Sequence, residues 1–437
     1  MCTDCAAGRR PLTTVVRVTP TSSDTASGLT LRTASDADWD QIFAIDARAF
    51  VMRNPLPDDE RADLRGKVED SDVRLVFDEE FGGRPGVDGA PLVGVSMFYR
   101  MSLTVPGGHV AQAAGLSWVS VAATHRRRGI LRRMITSLFD QWEAEGQPFA
   151  ILTASEATIY QRFGFGPACF STSISVDLGR ARMRADDPEA PSVRYATSEE
   201  VRALVPDLHA RWTATRPGAV HRSPAWWKPI LADRHSQRPP GTSQLHYILH
   251  ADGYACYRVN TNDPVRGEIT EFCAITDEAH RELWRVLTGL DLMHSVVASV
   301  PTDDPLPAAL TDLRSVRVTG MSDKMWLRIL DIPKTLGMRH YQHDLDVVIE
   351  VTDKFRGHGG VFDLSVRNGG GIVAPGASSA TPTVRLDISD LASLYLGGVR
   401  ARTYAATGRL WTDSPETLAA FDAAFATPVA PFSGTFF

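Results

Sequence analysis

Between Val119 and Arg132 the chain reads Val-Ser-Val-Ala-Ala-Thr-His-Arg-Arg-Arg-Gly-Ile-Leu-Arg, and no other stretch limits the fold as tightly. A β-strand ends, a basic turn with one glycine follows, and an amphipathic helix starts at once. Ile130, Leu131, Met134, Ile135, Leu138, Phe139 and Trp142 recur at helical spacing. A helix N-terminus offers unpaired N–H groups and the positive end of the macrodipole. Gly129 lets the backbone approach a bulky anion, and the arginines add charge and forked donors for phosphate oxygens. Such a strand–turn–helix is a pyrophosphate cradle. The sequence has no glycine-rich turn ending in Lys-Ser/Thr and no three-glycine dinucleotide fingerprint, so the other phosphate-binding turns are out. The plain alternative is a solvated basic turn.

Composition narrows the classes further. A chain of 437 residues suggests roughly three domains. Hydrophobic residues make up 43% and charged residues 22%, as in ordinary soluble globular proteins. Lys and Arg total 46 against 52 Asp and Glu, a formal net charge of −6, which argues against a nucleic-acid partner. The longest charge-free run, Met101 to Thr124, is broken by Pro106, Gly107, Gly108, His109 and Gln112 and has strand texture, so no membrane span is expected. The opening residues lack the apolar core of a secretory signal, and cytoplasmic residence is the expectation. Cys2, Cys5, Cys169, Cys256 and Cys273 are too scattered for a disulfide framework. The Cys2/Cys5 pair lacks two further zinc ligands, and the 12 histidines show no ligand spacing. His340 and His343 read as surface residues. No metal is expected.

Residues 1–28 read as a flexible N-terminal extension. From Leu29 to residue 185 the expected order is strand, two helices, three strands, helix, strand, helix, strand. Ser35 and Asp38 resemble a capping box. A polar, Pro-containing stretch at 180–192 marks a boundary. Residues 186–303 repeat the earlier order in outline, but no Arg-rich glycine turn precedes their helix at Asp277 to Thr288, so a degenerate duplicate is expected. Thr302-Asp303-Asp304-Pro305 marks a second boundary. Residues 304–437 read as an α+β region with strands near Met325 to Ile329, Leu345 to Val351, Gly360 to Val366 and Thr383 to Asp387, helices at Ser389 to Leu396 and Ser414 to Phe425, and a mobile turn at Asn368 to Pro382. The fold class is α/β with α+β character.

A second segment adds specificity. Ala154-Ser155-Glu156-Ala157-Thr158-Ile159-Tyr160-Gln161-Arg162-Phe163-Gly164-Phe165-Gly166-Pro167 follows the strand Phe149 to Thr153. An aromatic residue followed by Phe-Gly-Phe is where GNAT acetyltransferases carry their signature. The basic turn is similar to that superfamily's coenzyme A motif through Arg126 and Gly129, although Leu131 stands where a small residue is usual. Taken with Asp252 to Val259, Ser393 to Gly398 and a terminal Phe437, the chain resembles the enhanced intracellular survival (Eis) family of GNAT N-acetyltransferases from about Leu29 onward.

This resemblance implies tandem GNAT-like domains followed by a sterol-carrier-protein-like domain whose C-terminus reaches the active site, in a homohexamer. It implies acetyl-CoA as co-substrate, held by Val119, Ser120 and Val121, by Arg127, Arg128, Gly129, Ile130, Leu131 and Arg132, and by Ser155 and Glu156. It implies Tyr160 as general acid and the α-carboxylate of Phe437 as general base. The expected reaction is direct acetyl transfer to amines of aminoglycoside-type polyamines. Acetylation of lysine side chains in proteins or peptides is the alternative, and a lipid-binding carrier with a vestigial GNAT domain the remoter one. Phe436 stands where an acidic residue is familiar in the family, which bears on polycation binding. Asp46 and Glu60 fall on early helices that line the acceptor side in such folds, without an assigned role. Trp226 and Trp227 are either pocket-lining or core residues.

Overall fold

The computed structural model describes residues 28–52, 55–81, 89–184, 192–262, 264–376 and 380–437; Cys2, Cys5 and residues 1–27 of the expected extension lie outside them. The first third forms β1 (Leu29–Thr33), α1 (Trp39–Phe50), α2 (Asp58–Arg65), β2 (Val73–Asp78), β3 (Leu92–Thr104), β4 (Val110–Val121), α3 (Ile130–Ala144), β5 (Phe149–Leu152), α4 (Ala157–Tyr160) and β6 (Gly166–Asp177). The middle adds β7 (Arg194–Tyr195), α5 (Ser198–Thr213), β8 (Val220–His221), α6 (Pro224–Ala232), β9 (His246–His250), β10 (Gly253–Asn260), β11 (Arg266–Ala274), α7 (Asp277–Thr288), β12 (Ser295–Val300) and α8 (Leu306–Ala309). The rest forms β13 (Val316–Ile329), α9 (Ile332–Met338), β14 (Leu345–Thr352), β15 (Gly360–Arg367), β16 (Gly370–Pro375), β17 (Val384–Asp387), α10 (Ile388–Tyr395), α11 (Ala401–Ala406), β18 (Leu410–Thr412) and α12 (Pro415–Phe425).

Two sheets organise these elements. The larger runs β1-β2-β3-β4-β5-β13-β6-β12-β11-β10-β9-β7, with β8 on β3, and the smaller runs β16-β15-β14-β17-β18. Helix α1 covers one face of the first strands because Trp39, Ile42, Phe43 and Ile45 fall on one side of it and are buried against Val95, Met97 and Ala113. Its entry is fixed by the expected capping box, in which the Ser35 N–H and hydroxyl both donate to Asp38 Oδ2, at 2.8 and 2.7 Å. Helix α3 covers the other face through Ile135, Leu138, Phe139 and Trp142, packed on Phe98, Ala114 and Leu116.

The strand expected near Met325 to Ile329 forms, but not beside the other strands of its region. It is the inner half of β13, wedged between β5 and β6 in the large sheet. A run buried on both faces and paired on both edges needs two flanking strands, and these come from the first third of the chain. Within Asn368 to Pro382, read as a mobile turn, Gly370–Pro375 forms the edge strand β16 on β15. Helix α10 is buried all round because it lies between the two sheets, touching β6, β13, β14 and β17. It approaches so closely that a Cβ at Gly166 would stand 1.9 Å from the Ser389 carbonyl oxygen, so glycine is required there.

A buried ion pair joins the sheets. Arg328 on β13 donates to Asp353 after β14 at 2.6 Å, with the two side chains 1% and 0% exposed. Asp353 also accepts the Phe355 and Arg356 N–H groups at 3.1 Å each. Truncating one partner strands the other charge in the interior, so Asp353→Ala should lower stability by about 3–5 kcal/mol. Urea denaturation of the wild-type and variant chains measures this, and a difference under about 1 kcal/mol would show that the pair is dispensable.

Candidate active site

The geometry of β4 decides where chemistry can occur. β4 pairs in parallel with β5 only from Ala114↔Ala150 to Leu116↔Leu152. Beyond Leu116 it continues to Val121, bonded to β3 alone. Between Val95↔Ser120 and Met97↔Ser117 it carries an extra residue, and Trp118 takes a left-handed φ of 54° there. This bulge turns the strand away from β5. The edge from Ser117 to Val121 is thereby left without a strand partner and offers its backbone N–H and C=O groups to the space beside it.

A cleft of about 730 Å³ opens at this divergence. Val119, Ser120, Val121, Arg127, Gly129, Ile130, Leu131, Arg132, Ser155, Glu156 and Tyr160, all expected site residues, line it. The turn into α3 is tightly wound, with Arg127 at φ 64° and Gly129 at φ 78°. Gly129 is the N-cap, no side chain caps the helix, and its first turn has no acidic residue. The donors and dipole of α3 therefore meet the cleft uncompensated. A long ligand with amide links and phosphate groups fits this donor set: an open strand edge at one end, a basic helix start at the other.

Arg128 does not join the lining. Its Nη1 donates to Asp78 Oδ2 at 2.9 Å, and His125 Nε2 meets the same oxygen at 2.9 Å. Burial alone would raise the Asp78 carboxyl, but Arg128 and His125 hold it below its ordinary value. Arg128 thus ties the turn to β2. Arg126, matched to the coenzyme A motif, also lines the cleft, and lining residues that sequence reasoning missed include His125, Arg162, Phe50 and Phe355. Phe355 comes from the third region and had no local signal. It rests on Phe139 and Phe163, with the Arg132 guanidinium 5.5 Å from its ring.

Tyr160 is 6% exposed and packs edge-on to Phe165 in the apolar cluster beneath α3. Among the described residues its hydroxyl meets no hydrogen-bond partner. Burial pushes its pKa up to about 12, so it stays protonated at neutral pH. Phe437 lies on the other face of β4, in the cluster under α1, with its ring against Gly115 and outside the cleft lining. The chain end is held there by Phe432 N–H to the Pro217 carbonyl and Val220 N–H to the Ser433 carbonyl, each 3.0 Å. Phe436 points outward, 80% exposed.

Of the unassigned residues, Asp46 is buried and accepts the Ser120 hydroxyl at 2.9 Å, directly under the bulge. Glu60 is buried where α2 meets the middle region and accepts from Ser236. Trp227 is core, packed on His209. Trp226 is half-buried and edge-on to Tyr99. His340 and His343 are exposed, and the described residues contain no group of three His, Cys, Asp or Glu placed to hold a metal. No described helix is long and apolar enough to cross a membrane.

A splayed β4/β5 pair, a β4 bulge and an uncapped basic helix start define an acetyltransferase of the GNAT class. Family models agree: an acetyltransferase (GNAT) domain matches residues 30–168, a second such domain residues 218–329, and a sterol carrier protein domain residues 332–434. N-acetyltransferase Eis of Mycobacterium tuberculosis is 37% identical over 408 residues, covering 92% of this chain and 98% of that protein. An uncharacterized N-acetyltransferase of Streptomyces coelicolor is 34% identical, covering 78% of this chain and 84% of its own length. The crystal structure of Eis1 from Mycobacterium abscessus aligns with a TM-score of 0.80 at 30% identity, covering 94% of this chain and all of that one. The chain belongs to the Eis family of GNAT N-acetyltransferases and is an acetyltransferase.

Asp46 gives this site a pH signature. Burial, only partly offset by the Ser120 hydroxyl, raises its pKa to about 6. The folded chain therefore keeps this proton at pH values where the unfolded chain, near 3.9, has lost it. The associated stability is fully present below about pH 4 and is lost as pH rises through about 6. Asp46→Asn should stabilise the chain at pH 7.5 by on the order of 1–3 kcal/mol, with the gain vanishing toward pH 4. Urea denaturation at both pH values tests this; a difference that does not change with pH would remove Asp46 as the titrating group.

Proposed function

We propose that this acetyltransferase moves the acetyl group of acetyl-CoA directly onto an amine of an aminoglycoside-type polyamine, with Tyr160 as general acid and the α-carboxylate of Phe437 as general base. One observation supports the reading: Tyr160 lines the cleft, and the Phe437 ring packs on Gly115 of β4, within the stretch still paired with β5, from the other face of the sheet. The amine adds to the thioester carbonyl to give a tetrahedral intermediate that expels the thiolate, so one group must take the ammonium proton and another must protonate the leaving sulfur.

Acetyl-CoA supplies the activated acyl group. The Val119–Val121 edge pairs with the amides of its pantetheine arm, in the manner of an added strand. Arg127 and the turn Gly129–Arg132 take the pyrophosphate, while Ser155 and Glu156 border the opposite wall. Tyr160, neutral and unpartnered, donates its proton to the departing thiolate. A terminal carboxylate with an ordinary pKa of about 3.3–3.7 is ionised at pH 7 and accepts the ammonium proton directly or through one water. Homohexamer assembly belongs to this proposal and is read by light scattering.

The lysine-peptide reading has its own support. Phe436 presents an exposed apolar ring next to the terminal residue, and the Lys67 ammonium lies 4.3 Å over the Trp226 ring. Neither feature attracts a polycation, and both suit one amine on an uncharged or acidic carrier. Comparing CoA release with a kanamycin-type aminoglycoside and with a lysine peptide separates the two acceptors.

Tyr160→Phe should leave acetyl-CoA affinity and stability intact while turnover falls about 10²–10⁴-fold. Wild-type kcat in this variant would return Tyr160 to a core role. A C-terminal tag turns the Phe437 carboxylate into a neutral amide and should cost turnover of the same order, whereas an N-terminal tag should not. Full activity of the C-terminally tagged chain would assign the base elsewhere.

A further inference from the structure

The second GNAT-like unit repeats the divergence of the first. β11 and β12 pair in parallel only from Arg266↔Ser295 to Glu268↔Val297 and then separate. The gap beyond, between Thr270–Cys273 and Ser299–Pro301, opens a cavity of about 170 Å³. It cannot take a phosphate as the first one can. Helix α7 is capped by the Thr276 hydroxyl, which accepts the Ala279 N–H at 3.1 Å, and Asp277 and Glu278 fill its first turn. What lines this second gap instead is the chain's own tail, Phe432 to Phe436.

One side chain fastens that tail two residues from its end. Arg222, 3% exposed, donates from Nε to Thr435 Oγ1 at 3.0 Å and from Nη2 to the Gly434 carbonyl at 2.8 Å. It pairs with Glu271 of β11, whose other oxygen accepts the Tyr254 hydroxyl at 2.7 Å, and its guanidinium lies 4.8 Å over the Trp227 ring. The remaining polar ties act further back: Asp303 on the Ala430 N–H, Arg216 on the Ala430 carbonyl, and the Pro217 and Val220 backbones on residues 432 and 433.

We propose that Arg222 is the positioning residue for the α-carboxylate of Phe437, so that the second GNAT-like unit holds the base of the first. This rests on the reading of that carboxylate as the base. Chain termini fray unless tied down. Proton transfer needs heavy atoms within about 2.6–3.2 Å or one water, and a displacement of about 1 Å can cost about 10²-fold. A buried guanidinium gripping the backbone at 434 and the side chain at 435 removes that freedom where it matters.

The test uses the full chain, acetyl-CoA, and whichever of the aminoglycoside or lysine peptide the wild type turns over faster. Arg222→Gln combined with Glu271→Gln removes the clamp without leaving a lone buried charge, and Thr435→Val removes one acceptor only. The double variant should lose about 10²-fold in kcat with KM and calorimetric Kd for acetyl-CoA unchanged. Thr435→Val should move the same way by less, and Arg222→Lys in the native background should recover part of the rate. Carboxypeptidase A should release Phe437 at least about tenfold faster from the double variant, a readout of terminal freedom that a loss of general packing would not confine to the last residue. Wild-type kcat in the double variant, or unchanged release of Phe437, overturns the proposal, as does a parallel loss of acetyl-CoA affinity. The C-terminally tagged wild type separates the two ideas. If it stays active, the base assignment fails; if it is inactive while the Arg222 variants turn over normally, only the positioning role fails.

Discussion

Everything in the first unit follows from one unpaired strand edge. β4 stops pairing with β5 at Leu116 because the extra residue at Trp118 turns it outward, yet it continues to Val121. Five residues of backbone then face a gap instead of a neighbour. An open sheet edge invites another extended chain, and proteins ordinarily cover it. Here it is kept open, flanked by the start of α3 on one side and α4 on the other, and it becomes the wall of the cleft. The left-handed φ at Trp118 and Arg127 costs on the order of 1–3 kcal/mol each, and both strained residues border this gap. Strain beside the gap, with the buried Asp46 carboxyl under it, is the mark of a site held in shape by its surroundings.

The duplicated unit shows how little sequence change redirects such a gap. The same parallel pair and following helix recur, but a Thr cap and two acids replace the uncapped basic turn at the helix start. The electrostatic preference reverses with them, since acids in a first turn already satisfy the dipole. The third region contributes differently. Arg356 grips Glu143 and Asp140 on α3, and Asp353 orients the loop that sends Phe355 into the first cleft. The cleft floor thus depends on a loop more than 200 positions away in the chain.

What the sequence made legible is what is local. The strand–turn–helix at Val119 to Arg132, the Ser35/Asp38 cap and the span of α7 are set by neighbours within a few residues, and each forms as its pattern dictates. Tyr160 was found through a motif fixed by Phe163, Gly164 and Phe165 beside it. Arg128 illustrates the limit: three consecutive arginines look equivalent in sequence, and only the placement of Asp78, 50 residues earlier, turns one of them away from the cleft. The Met325 to Ile329 strand was recognisable as a strand, but its partners were not, because sequential order says nothing about insertion between β5 and β6. Phe355 and Arg222 carried no local signal. An aromatic residue in a turn and an arginine before a helix acquire meaning only through contacts of long sequence separation.

The tail gathers these long-range ties in one place, and this bears on how the site is assembled. Helix α12 belongs to the third region, Asp303, Arg216 and Arg222 to the middle, and the Phe437 ring to the core of the first. Thr435 and its clamp lie 213 positions apart, so their contact encloses a very large loop. Loop-closure entropy grows only slowly with length, so such a contact is affordable once the flanking units have docked and follows their docking. The terminus therefore reaches Gly115 only in the finished molecule. If the Phe437 carboxylate is the base, a chain with any one unit misdocked has a cleft that binds acetyl-CoA and no means of accepting the amine proton. That coupling makes acyl transfer contingent on the complete fold, which a base carried on β4 or α1 would not.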